Sequence, residues 1–390
     1  MRKKWMLIAL GCIVAVPLLA APFILAPGKQ PPNAPLADPI ESAEQARMIE
    51  AMKPPHGKRP VVAIVALNAS TEVSDFMVAY GVLHLADVAD VTVVAERAEP
   101  VQLYPPDLSI EPETTLDAFD AQYPGGADYI VIPAMEPHDD PVIIDWITGQ
   151  LGKGARIVSI CNGSRTLAAA GLLDGRRATG HWYTIGELLK KHPTMQWVRD
   201  RRYVTDQGIT TSTGVSANVP VMLALVEAIG GRQTAERVAG ELGIAAWDGR
   251  HRSAAFQLTT EHKKTFVRNT LAFWRHETLG IPLVQGVDEI ALGLTADAYS
   301  RTALAKVITL GVSREPLRSR HGLVIHPTQA ARAAAVDHML AAPSSSAPAA
   351  VLERELPHIA SRYDRPTAAI VALTMEYPWL ASPSGLASPP

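Results

Sequence analysis

Four short, largely apolar runs constrain this chain more than anything else in it: VVAIVAL at 61–67, VTVVA at 91–95, DYIVIP at 128–133 and RIVSI at 156–160. A strand with one face in water alternates polar and apolar residues. A run without alternation needs cover on both faces. Segments with helical spacing lie between and after these runs: TEVSDFMVAYGVLHLA (71–86), PVIIDWITGQL (141–151), SRTLAAAGLLDG (164–175) and VPVMLALVEAIGG (219–231). Strand–helix alternation of this kind predicts an α/β fold, a mostly parallel sheet sandwiched by helices. DLSI (107–110) reads as a short edge strand, and ATGHW, YVTDQG and ITTST as further short strands.

The flanks divide the rest. Arg2, Lys3 and Lys4 precede an uncharged apolar run at 5–27, about the length of a bilayer-crossing helix. The basic flank predicts a single-pass anchor in the cell inner membrane with the main domain on the periplasmic side; a cleaved signal peptide is the rival reading. Residues 28–58 are proline-rich and read as a linker, with a short helix at 43–52. The main domain is assigned to 59–282 and a degenerate α/β half-domain to 283–390. VTVVAERAEP (91–100) aligns without gaps on VITLGVSREP (307–316), and LSIEP and LVIHP follow in turn. This partial repeat lacks a counterpart of the cysteine segment, and is expected to pack on the first copy or to pair two chains as a homodimer.

The formal net charge of −3 and the absence of a basic run argue against a nucleic-acid partner, and no helix-turn-helix pair is visible in the C-terminal region. The 12 histidines form no zinc-type spacing, and no phosphate-binding loop follows a strand. No metal and no cofactor are therefore expected; the partner is a small-molecule substrate or ligand.

The chain has two cysteines, Cys12 in the apolar run and Cys161 in IVSICNGSRTLAAAGLLDGRRATGHW (157–182). Buried strand, cysteine, small polar turn and helix is the nucleophile-elbow arrangement with sulfur for oxygen. It places the side chain at the carboxyl edge of the sheet, with the positive end of the next helix toward the sulfur. The N–H groups of Asn162 and Gly163 then face developing negative charge. Proton-transfer candidates are His181 and an acid of the first strand-to-helix turn, Glu72 or Asp75. Each has a plainer reading: a buried apolar filler for Cys161, a satisfied polar group for His181, helix caps for the acids.

CNGSRTLAAAGLLDGRRATGHW resembles the signature of the ThiJ/PfpI superfamily, relatives of class I glutamine amidotransferases, nearest the isocyanide hydratases and the AraC-fused amidotransferase-like sensors. The resemblance covers roughly 60–245. It implies a flavodoxin-like, often dimeric sandwich, with Cys161 as the reactive cysteine, Asp75 as the acid near the sulfur and His181 beside the pocket. Two positions depart from the pattern. Pro133-Ala134-Met135 stands where the family has Pro-Gly-Gly, so Ala134 would line the oxyanion site and Met135 would narrow the pocket. Asn162 replaces a residue that is often Thr or Ala. The reading that follows is a cysteine-dependent hydrolase or lyase acting on a small carbonyl- or isonitrile-like compound. The alternative is a non-catalytic ligand- or redox-sensing domain without DNA-binding activity.

Overall fold

The computed structural model describes residues 38–55 and 59–379. A seven-stranded sheet has the spatial order 203–206, 209–212, 156–159, 129–132, 61–66, 90–95, 114–115. All its pairings are parallel except the hairpin of Tyr203–Asp206 with Ile209–Ser212. Alternation along Val61–Ala66 sorts the core into two layers. Val62, Ile64 and Ala66 join the cluster of the helices Val73–Ala86 and Asn218–Gly230. Val61, Ala63 and Val65 join that of the helices Leu116–Gln122, Pro141–Gly152 and Gly163–Ala169. Both faces of the sheet are covered, as the unbroken apolar runs require.

The repeat extends well beyond the two segments that reveal it in the sequence. In the same gapless register the strand Val61–Ala66 falls on Glu277–Pro282, and Leu108–Ile110 falls on Val324–His326. Each first strand is followed by a helix, Val73–Ala86 and Glu289–Ser300, capped in the same way. Glu72 accepts from Asp75 N–H, and its counterpart Asp288 accepts from Ala291 N–H. The second copy builds a parallel four-stranded sheet, 329–330, 305–311, 277–282, 338–339. The boundary drawn at 282 therefore falls between a strand of this copy and its helix.

The two copies pack on each other within the chain. Leu108–Ile110 is an interior strand and not an edge. It pairs antiparallel with Val324–His326 in a five-stranded sheet built from both copies. Ile110 faces Ile325 and Ser109 faces His326, so each residue meets the counterpart of its own neighbour, as about a two-fold axis. The helices Val73–Ala86 and Glu289–Ser300 cross closely: a Cβ on Gly81 would lie 2.5 Å from Ile290 Cγ1, and one on Gly293 would lie 3.0 Å from Met77 Cβ. Met77 and Gly293 are counterparts, so this crossing sits on the same axis.

At the other end, the helix Ser42–Met52 docks on the main sheet, and this part of the proline-rich region is not an extended spacer. Arg201 holds Glu44 through two bonds of 2.7 and 2.8 Å, and Tyr129 donates to the Met52 carbonyl at 2.6 Å. The apolar run at 5–27, and with it the anchor reading, lies outside the described residues. Among the described residues, no helix is long and apolar enough to cross a membrane.

The helix crossing makes a testable demand. Gly81→Ala is expected to lower stability by about 1–3 kcal/mol, because the added methyl overpacks the contact. Combined with Ile290→Ala, which opens room there, the loss should be smaller than the sum of the two single losses in denaturant unfolding. Strict additivity would mean that the helices do not meet at Gly81.

Candidate functional site

The strand Arg156–Ser159 ends two residues before the elbow, where Cys161 takes φ 52°. A non-glycine residue in this left-handed region is strained, and such strain persists only where the surroundings enforce it. Here the Cys161 N–H donates to Thr213 O at 3.0 Å and the Ser164 hydroxyl to Cys161 O at 3.0 Å. Gly163 is required by close approach: a Cβ there would run into the Ile132 carbonyl oxygen. The helix that follows, Gly163–Ala169, is shorter than the sequence pattern suggests, because Gly171 turns the chain out of it at φ 71°.

Cys161 is unpaired and 5% exposed. Burial pushes its thiol well above the usual range, and the Asp75 and Glu72 carboxyls push in the same direction. The Arg301 guanidinium and the Asn162 N–H pull it down. The helix field alone does not win, since the thiol sits in a low-dielectric site faced by two acids.

Both acids of the first turn are fully buried, and they do different things. Glu72 is a cap and a hub: its carboxylate accepts from Asp75 N–H at 2.6 Å, Ser74 Oγ at 2.9 Å and Arg301 Nη2 at 2.7 Å. Asp75 Oδ2 accepts from Ala134 N–H at 3.1 Å, while its Oδ1 is buried with no hydrogen-bond partner. Burial raises Asp75 from the ordinary range to about 7, against the pull of the Ala134 N–H and Arg301. The Cys161 thiol lies within interaction range of this carboxyl, and Tyr104 closes the group from the strand Val101–Tyr104.

Ser74 adds a constraint of its own. Its hydroxyl carries one proton but stands 2.9 Å from Glu72 Oε2 and 2.8 Å from Asp297 Oδ2. One of those two contacts must be made by a carboxyl proton. The site therefore stores at least one proton among its acids, faced, among the described residues, by one cation, the partly buried Arg301.

Three expected roles are rearranged. The Gly163 N–H donates to Ile160 O at 2.8 Å to close the turn, and the Ala134 N–H is engaged by Asp75. Of the expected oxyanion donors, only the Asn162 N–H is directed at the sulfur; the Asn162 side chain accepts from Thr184 Oγ1 at 2.6 Å. Met135 belongs to the apolar cluster that includes Leu67, Ile132 and Leu167, and Cys161 belongs to the other. The Met135 side chain thus fills core instead of narrowing a pocket at the sulfur. His181 is buried and held neutral by desolvation. Its Nδ1 accepts from Tyr183 N–H at 3.3 Å and its Nε2 meets Thr374 O at 3.0 Å, so both ring nitrogens are engaged away from Cys161. Together with Trp182, which donates to Leu373 O at 2.8 Å, it clasps the end of the helix Arg365–Thr374. Glu376, just beyond, accepts from Gly214 N–H at 2.6 Å.

Asp297 and Arg301 escape the sequence reading. One signal was available: Asp297 is the lone charged residue between Glu289 and Arg301 in an otherwise apolar helix, and Arg301 follows it at the i+4 spacing of an ion pair.

The buried acids have a measurable consequence. A group whose folded pKa is raised stabilises the fold below its unfolded pKa and loses that contribution as pH rises through the folded value. For Asp75 the window runs from its ordinary value of 3.8 up to about 7. Asp75→Asn, a neutral isostere, should gain stability relative to the parent across this window, on the order of 1–3 kcal/mol at neutral pH. Thermal unfolding at a series of pH values checks it; a gain that does not depend on pH would place the raised proton elsewhere.

Residues 61–228 match the DJ-1/PfpI family. The chain is 35% identical over 143 residues to an isonitrile hydratase of Pseudomonas putida, covering 35% of this chain and 59% of that protein. It is 31% identical over 122 residues to the HTH-type transcriptional regulator CdhR of Pseudomonas aeruginosa, covering 31% and 36%. Protein dj-1beta of Drosophila melanogaster is 26% identical over 189 residues, covering 47% and 97%. The chain thus spans less than two thirds of the length of the first two relatives. Among solved structures, the crystal structure of Drosophila melanogaster DJ-1beta superposes with a TM-score of 0.43 at 22% identity, covering 48% of this chain and 100% of that one. A ThiJ/PfpI family protein from Pseudomonas syringae gives 0.43 at 21%, covering 55% and 84%. The sequence matches support the DJ-1/PfpI superfamily for this segment, with hydratase and AraC-type regulator relatives.

Proposed function

We propose that the DJ-1/PfpI-superfamily segment of this chain is a cysteine-dependent lyase or hydrolase for a small isonitrile- or carbonyl-like compound, with Cys161 as nucleophile and Asp75 as proton carrier. The observation that carries this reading is the buried Asp75, with one oxygen unpartnered and a pKa near 7, beside a cysteine held at a strained elbow. A group of that pKa can both take and return a proton near neutral pH. The hydratase relative supports the isonitrile as the compound to try first. With R–N≡C, the Cys161 proton passes by way of Asp75 to the terminal carbon as the sulfur bonds to that carbon, giving R–N=CH–S–Cys161. Addition of one water and return of a proton to sulfur break the C–S bond, release R–NH–CHO and restore the thiol. Part of the proposal is that the apolar run at 5–27 holds this domain at the outer face of the inner membrane, a reading supported by the basic residues before it.

A second reading rests on a separate observation. At 5% exposure and with a raised thiol, Cys161 also suits a domain that binds a small molecule without turning it over, whereas oxidant sensing would call for an exposed, low-pKa thiolate. Regulator relatives support that alternative.

The two readings part in one assay. Incubating the full chain with a small alkyl isonitrile should yield the formamide catalytically, with Cys161→Ser inactive and Asp75→Asn reduced about 10²–10⁴-fold in kcat. A stoichiometric mass increase on Cys161 with no product would favour sensing. Turnover that survives in Cys161→Ser would falsify the nucleophile assignment.

A further inference from the structure

The two copies meet about an approximate two-fold axis, so each contact should occur twice. One does so with a change of chemistry. Gly81 of the first copy abuts Ile290 of the second. In the repeat register the mate of that contact joins Ser74, the counterpart of Ile290, to Asp297, the counterpart of Gly81. This second contact is a hydrogen bond of 2.8 Å. One turn on, Leu85 of the first copy corresponds to Arg301 of the second. On the side that lacks a cysteine the contact is Gly81 on Ile290, with the buried Glu289 beside it turned to His321 of its own copy; on the side that faces Cys161 the polar groups bridge the two copies.

We infer that the second copy is a built-in partner half that completes the Cys161 site, and that Arg301, braced by Asp297, is its positioning residue. Arg301 Nη2 reaches Glu72 Oε1 at 2.7 Å, and its Nε is fixed by Asp297 Oδ1 at 2.6 Å. Glu72 in turn grips the Asp75 N–H at 2.6 Å, and its own N–H donates to the Ala134 carbonyl at 2.8 Å. Ala134 closes the ring by donating to Asp75 Oδ2. The guanidinium therefore acts on Asp75 through Glu72, without touching the reacting atoms. It is also the cation that offsets the acids around the thiol: Glu72 and Asp75 from the first turn, Asp297 from the second copy, with Tyr104 and neutral His181 the other titratable groups it influences. A bare acid cluster of this kind would be expensive to bury; the guanidinium offsets part of that cost, and its removal would leave the acids uncompensated. The inference rests on the Cys161–Asp75 site of the proposed function but not on its turnover.

The test is thermal unfolding of the full chain as a function of pH, with no substrate. Removing the cation by Arg301→Met leaves the acids to hold protons more tightly, so the loss in Tm should grow as pH rises, to roughly twice as large near pH 8 as near pH 5. Arg301→Lys, which keeps the charge and loses the fork, should show a smaller growth. Asp297→Asn removes one acid and keeps the shape; it should show the opposite trend, gaining on the parent as pH rises, and this arm decides the matter if Arg301→Met does not fold. The same trends should persist in a Cys161→Ala background, which separates this inference from the fate of the catalytic reading. Tm offsets that are parallel at every pH in both the Arg301 and Asp297 variants would reduce these residues to packing and overturn it.

Discussion

The close crossing of the helices Val73–Ala86 and Glu289–Ser300 is the contact on which the rest of this structure depends. It joins two copies of one strand–helix–strand unit, and it is tight enough that Gly81 has no room for a side chain beside Ile290. Where the crossing turns toward Cys161, the Gly81–Ile290 contact is replaced by Ser74, Asp297, Arg301 and Glu72. Stability and site chemistry therefore share one interface. The first copy supplies the thiol and two acids, and the second supplies a third acid and, among the described residues, the one cation bonded to them.

That sharing explains why the site is polar and yet closed. Three carboxyl groups and a thiol are buried around one guanidinium, and elementary hydrogen-bond bookkeeping at Ser74 requires a proton among them. Such a cluster is a proton store before it is anything else. The proton at Ser74 belongs to Glu72 or Asp297; Asp75, raised to about 7 by burial, is the member beside Cys161 that exchanges a proton of its own near neutral pH. His181 stands outside this exchange. It fastens the last described helix to the elbow side of the sheet, so the C-terminal region is tied to the site at its tail as well as at the crossing.

Much of the fold was legible before any coordinates. The runs at 61–67, 91–95, 128–133 and 156–160 became neighbouring strands because apolar residues on both faces leave no other placement. The elbow at Cys161 followed from a strand, a cysteine and Gly163 in sequence, and the grouping of Asp75 with Cys161 came from the resemblance. The placement of DLSI at an edge failed, since a strand of three residues does not tell which chain segment will pair with its outer side. The roles given to Gly163, Met135 and His181 changed for a related reason: a backbone N–H or a ring nitrogen has several partners within reach of its sequence neighbours, and only packing decides among them.

Local spacing thus determined the parallel sheet, the strained cysteine and the existence of a second copy, because strand period, turn chemistry and repeat register are properties of contiguous residues. Tertiary structure alone decided that the second copy folds back about an axis near Met77 and Gly293 and delivers Arg301 to Glu72. Residues 72 and 301 are far apart in the chain, and an ion pair between them leaves no local pattern; it exists only because two helices with Gly81 and Gly293 in their crossing approach closely enough to bring Arg301 onto the buried Glu72.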